Sequence, residues 1–135
     1  MLHIDIVCVG KIRESYLKDA IAEYQKRLSK YCILNIIELP DEKLPSKLND
    51  SLSFEIKQKE SNLILSHIKK DSYIIALDLK GKNYTSTQFS EKIQNLSLIT
   101  SHITFLIGGT LGMTDELLAN AKELICFSKM TFPHP

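Results

Sequence analysis

Apolar and polar positions fall in blocks along this chain, and the period of the blocks switches repeatedly between strand-like and helix-like. Residues 3–9 are apolar and β-branched, the pattern of a buried strand, and the run stops at Gly10. Over residues 14–30, Leu17, Ala20, Ile21, Tyr24 and Leu28 recur at helical spacing with lysines and glutamates between them, which predicts an amphipathic helix. Residues 33–39 read as a second strand halted by Pro40, and residues 41–53, with Pro45 and several charges, as a long loop. Ile56, Leu63, Ile64 and His67-Ile68 mark a second helix, ending near Lys69-Lys70, where cations suit the helix dipole.

A third strand follows over residues 73–79, with Gly81 opening the turn after it. Thr85 and Ser86 offer caps to a third helix that carries Phe89, Ile93 and Leu96 on one face. The fourth strand, residues 103–107, runs into Gly108-Gly109-Thr110-Leu111-Gly112. Thr114 then caps a fourth helix whose first turn holds Asp115 and Glu116, and residues 124–127 form a fifth strand. This alternation predicts a single α/β domain over residues 1–135, with a mostly parallel sheet and helices on both faces. In such sheets ligands sit beyond the carboxyl ends of the strands, so the loops after Leu79, Ile107 and Phe127 are where a site is expected.

Composition narrows the function classes. At 44% hydrophobic and 24% charged, the 135-residue chain can bury a core and is not disordered. Its first apolar run is broken by Asp5 and is too short to span a bilayer, and a cytoplasmic location is expected. Cys8, Cys32 and Cys126 are widely spaced in apolar contexts without a C-x-x-C pair, which suits reduced core thiols and suggests no metal site. Net charge is +1, from 17 basic and 16 acidic residues, which excludes a protein held on nucleic acid by charge alone. RNA binding would need a local patch, a dimer or shape. Lys26-Arg27 with Lys30, after Lys11, Arg13 and Lys18, is a candidate patch, the alternative being a solvated helix face.

Two segments carry candidate chemistry. Adjacent glycines at Gly108 and Gly109, ending a strand, allow positive φ and close approach of a ligand to bare backbone, and a helix N-terminus nearby adds N–H donors. A ligand-free tight turn is the alternative. A dinucleotide loop does not fit, because G-x-G-x-x-G would need glycine where Ile107 stands and no acidic ribose ligand follows the next strand. The second segment, residues 127–135, holds two aromatic residues and a methionine without a repeating period. It suits a loop wrapped around a flat, partly apolar ligand such as an adenine ring, or a tail packed on the core.

The unit from Ile107 to Thr114, followed by Phe-Ser-Lys-Met-Thr-Phe-Pro-His at residues 127–134, resembles the signature of the ribosomal large-subunit methyltransferase H family. Val9-Gly10-Lys11, Ala22-Glu23-Tyr24, Arg27-Leu28, Ile75-Ala76-Leu77-Asp78 and Gly81-Lys82 fit it as well, so the resemblance covers essentially the whole chain. It implies the SPOUT fold, a homodimer, S-adenosylmethionine as cofactor, and methylation of N3 of a pseudouridine in large-subunit rRNA or the ribosome. The implied cofactor contacts are Leu77, Gly108, Gly109, Phe127, Ser128, Lys129, Met130, Thr131 and Phe132. Transfer to N3 requires loss of its proton, and His134, the histidine nearest this segment, is the candidate base, with a structural role as the alternative.

The family continues past the Pro-His step into a closing helix and a tail, threaded to make a trefoil knot and contributing to dimer and RNA contacts. The present sequence stops at Pro135. The expectation is therefore a SPOUT-like domain lacking its final knot-forming helix, unthreaded, with a loosely held cofactor loop and exposed apolar surface. The alternative function is a catalytically inactive scaffold of the same fold. A phosphate-binding α/β module ranks last, because no lysine or acidic partner is suitably placed beside the diglycine.

Overall fold

The computed structural model describes residues 1–130. Among them the chain forms β1 (Leu2–Val9), α1 (Ser15–Leu28), β2 (Cys32–Leu39), α2 (Asp50–Ser66), β3 (Tyr73–Lys82), α3 (Ser86–Ser97), β4 (His102–Ile107), α4 (Asp115–Ala119) and β5 (Glu123–Ile125). The strands make one sheet in the order β2-β1-β4-β3-β5, and each pairing between neighbours is parallel.

Connections that travel toward the β2 edge, through α1 and α3, lie on one face, and those that travel toward the β5 edge, through α2 and α4, lie on the other. Right-handed crossovers require this division. On the α2 and α4 side, Val7, Val9, Ala76 and Leu106 pack with Ile64, Leu117 and Leu118. On the opposite side, Ile75, Ile103 and Phe105 pack with Leu96, Phe89 and Ile93 of α3. Alternate strand residues supply the two clusters because successive side chains of a strand point to opposite faces.

Four local expectations are corrected. The 41–53 loop is shorter than expected: α2 begins at Asp50, because the Asn49 side chain accepts from the Leu52 N–H at 2.7 Å and caps it. Gly81 does not open a turn but lies inside β3, where a Cβ would come within 2.6 Å of the Ile125 backbone. The strand bulges there, so that Leu77 and Lys82 both pair with Ile125. β5 is three residues long and ends at Ile125, short of Phe127. Finally, α1 buries none of its side chains fully: Leu17 and Ile21 are half-buried, whereas Tyr24 and Leu28 of the same predicted stripe are exposed.

Candidate active site

At the carboxyl end of the sheet, the adjacent strands β3 and β5 bring two irregular segments together. The first is the bulged stretch of β3, where Asp78 accepts from the Lys80 N–H at 2.9 Å and Leu79 is exposed. The second, the loop after β5, is tied down at several points. The Cys126 N–H donates to the Lys82 carbonyl at 3.0 Å, and the Asn83 side-chain amide donates to the Cys126 carbonyl at 2.8 Å. The Cys126 thiol then donates to the Ser128 carbonyl at 2.8 Å, and the Met130 N–H to the Ser128 hydroxyl at 3.0 Å. The Phe127 ring meets Phe89 edge-on, with centroids 6.4 Å apart.

Between these segments lies a cleft of about 270 Å³, lined by Leu77, Asp78, Leu79, Ile125, Cys126, Phe127, Ser128 and Met130. Leu79, Phe127 and Met130 are 58–71% exposed around it. Three large apolar side chains left in water around one opening mark a surface built to be covered. Leu77, Phe127, Ser128 and Met130 of the expected contact set are thus gathered in one place. Lys129 is exposed next to them and does not line the cleft, and Thr131, Phe132 and His134 lie outside the described residues.

The diglycine falls elsewhere. Gly109, with Thr110 and Leu111, walls a separate cavity of about 220 Å³ together with Asp41, Glu42, Lys43, Leu44 and Glu60, on the α2 side of the sheet. Positive φ is not the reason for the pair: the turn adopts it at Gly112, with φ of 83°. Gly108 and Gly109 are glycines for lack of room. A Cβ on Gly108 would lie 2.8 Å from Cγ of Met113, and one on Gly109 would lie 2.8 Å from Oε1 of Glu60. Two of the N–H groups at the start of the following helix are also engaged. α4 is only five residues long, the Leu117 N–H goes to its Thr114 cap, and the Thr114 N–H goes to the Ser61 hydroxyl.

Sequence reasoning missed Glu60 and Ser61, both buried. The signal was present: Ile56, Glu60 and Ile64 follow each other every four residues, so a carboxylate sits on the apolar stripe of α2. It also missed a cluster that anchors β5. Tyr84 donates a hydrogen bond to Glu123, and Lys92 of α3 lies 2.7 Å from the other carboxylate oxygen. Burial alone would raise the Glu123 pKa, but the hydrogen bonds from Lys92 and Tyr84 together outweigh it and hold the carboxyl below its ordinary range. The same hydrogen bonds push Lys92 and Tyr84 up.

The candidate basic patch divides into two. Lys11, Arg13 and Lys18 line a cleft of about 480 Å³ at the carboxyl end of β1 and β2, together with the carboxylates Glu38 and Asp41. Arg27, toward the far end of α1, is paired with Glu23 at 3.0 Å and lies over the Tyr24 ring.

Sequence comparison assigns a family to this wholly parallel five-stranded α/β fold. The sequence model of one family, described as "Predicted SPOUT methyltransferase", matches residues 2–135, and the chain belongs to that family of methyltransferases. Among its relatives it is 57% identical over 136 aligned residues to a "Ribosomal RNA large subunit methyltransferase H" of Clostridium botulinum (strain Kyoto / Type A2). It is 52% identical over 134 residues to a "Ribosomal RNA large subunit methyltransferase H 1" of Clostridium perfringens (strain SM101 / Type A). Each match covers 98% of this chain and 84% of the relative. Among the described residues no helix is long and apolar enough to cross a membrane.

Proposed function

We propose that this chain, as a single domain, transfers a methyl group from S-adenosylmethionine to large-subunit rRNA, at N3 of a pseudouridine, working in the cytoplasm as a homodimer. The observation that carries the donor site is the cleft between Leu77–Leu79 and Cys126–Met130, apolar on its walls and bordered by backbone. Such a surface fits a flat heteroaromatic ring with polar edges, because side chains cover the faces while peptide groups read the edge. The substrate class follows from the two relatives, whose names specify large-subunit ribosomal RNA.

S-adenosylmethionine supplies an electrophilic methyl group and a good leaving group. The chain supplies position. With the donor bound, the side chains of Leu77, Leu79, Phe127 and Met130 would cover it and keep water away, and Ser128 holds the second loop in register through its contact with the Met130 N–H. Holding two reactants in line is worth effective molarities of roughly 10⁵–10⁸ M, so positioning can carry most of the acceleration. Gly108, Gly109, Lys129, Thr131 and Phe132 complete the proposed cofactor contacts, and His134 is the proposed acceptor of the N3 proton. The Lys11, Arg13 and Lys18 cleft opens at the same end of the sheet and suits RNA phosphates.

Calorimetric titration of the chain with S-adenosylmethionine tests the reading, with Leu77→Asp as the control that places a charge in the cleft. Saturable binding lost in the variant supports it. A folded parent chain that does not bind the donor refutes it and leaves the inactive scaffold.

A further inference from the structure

On the α2 side of the sheet, two successive residues of α2 flank the glycine turn. The Ser61 hydroxyl accepts from the Thr114 N–H at 3.0 Å, just after the turn, and both residues are buried. Glu60 stands beside the start of the turn, where its Oε1 would lie 2.8 Å from a Cβ added at Gly109. Its other oxygen accepts from the Glu42 N–H at 2.9 Å, in the segment that follows β2. One carboxylate is therefore bonded to the segment after β2 and adjacent to the segment after β4, and these two segments wall the 220 Å³ cavity.

Packing alone does not ask for a carboxylate there. Glu60 lies between Ile56 and Ile64 on the buried stripe of α2, where an apolar residue would avoid the cost of burying a charge. What an apolar residue could not do is accept the Glu42 N–H and bear on the bare face of Gly109 at the same time. We infer that Glu60 and Ser61 are positioning residues for methyl transfer, fixing the Gly108–Gly112 turn in the geometry that receives the methyl donor. This rests on the proposed function, which includes Gly108 and Gly109 among the cofactor contacts.

The test is calorimetric titration with S-adenosylmethionine of the parent chain, Glu60→Leu, Ser61→Ala and Ile64→Val. The last variant thins the same buried stripe without touching the turn. Each variant is checked for folding by circular dichroism and thermal melting. The expected result is that Glu60→Leu, which removes the acceptor for the Glu42 N–H, and Ser61→Ala, which removes the acceptor for the Thr114 N–H, each weaken donor binding about tenfold or more, the equivalent of losing one hydrogen bond to a buried group, while Ile64→Val does not. If Glu60→Leu does not fold, the Ser61→Ala titration decides. Variants that melt lower yet bind the donor as the parent does would reduce the pair to a structural role and overturn the inference, leaving the proposed function standing. A parent that does not bind the donor would remove both.

Discussion

Asp5 and His102, 97 residues apart in sequence, meet inside the sheet with Oδ2 2.8 Å from Nε2. Both side chains are 10% exposed, and Asp5 also accepts from the Asn35 amide at 3.2 Å. His3 stacks on the His102 ring at 5.7 Å. These four residues join β1, β2 and β4 near the amino end of the sheet, remote from the cleft. Removing one partner strands the other, so Asp5→Ala is expected to cost about 1–3 kcal/mol by urea denaturation. Asp5→Leu with His102→Leu should cost less than the sum of the single changes. Donor affinity of the folded variants should be unchanged.

The Tyr84, Lys92 and Glu123 cluster makes stability depend on pH at both extremes. Glu123 titrates lower in the folded chain than its ordinary 4.5, so its contribution is complete above that value and is lost as pH falls through the folded pKa. Lys92 and Tyr84 titrate above their ordinary 10.5 and 10.0. Their contributions are complete below those values and are lost as pH rises through the folded ones. Melting temperature against pH should therefore decline at each end. Lys92→Met should flatten the alkaline limb, and a limb of unchanged slope in that variant would count against the assignment.

At Gly81, added volume has nowhere to go, because the atoms facing it are the backbone of Leu124 and Ile125. Gly81→Ala is expected to lose about 1–3 kcal/mol or more and to push β5 outward. Weakened S-adenosylmethionine binding in protein that remains folded would be the accompanying sign.

Gly112 poses the opposite problem. A side chain there would meet open space, but φ is 83°. Backbone conformation alone sets the cost, so Gly112→Asn should be milder than Gly112→Val, with Gly112→Val losing about 1 kcal/mol or more in thermal melts.

Cys8 gives a chemical check on burial. Desolvation, and after it the Glu38 carboxylate, raises its thiol pKa, and burial raises that of Cys32. Iodoacetamide at neutral pH should label both more slowly than a free thiol, as followed by intact mass.

The fold was legible because each strand carries its own signature: Val7 and Val9, or Ile103 to Ile107, are apolar runs that fit only a covered parallel sheet. Asp50 was hidden inside a polar stretch because the sign of the helix start, the Asn49 cap, looks like any other loop asparagine. The bulge at Gly81 depends on pairing with Ile125, a partner 44 positions away, and no local pattern encodes that. At the site, Phe127 and Met130 supply the aromatic and methionine character that the sequence shows in its last segment, and both line the cleft. The diglycine pointed to a turn, but what fills the space beside it is Glu60, and only folding brings α2 there.

β5 has three residues and, among the described residues, forms an outer edge of the sheet with β3 as its one strand partner. So few ladder bonds leave it among the first parts to open, with exchange of its amides at a free energy well below that of global unfolding. One wall of the cleft continues directly from this strand. A ligand that spans from Leu77 to Met130 would then act as a clasp, adding its binding free energy to the closure of the edge. The amides of Leu124 to Cys126 would thereby become a built-in reporter of occupancy, slowing their exchange with deuterium as the donor concentration rises.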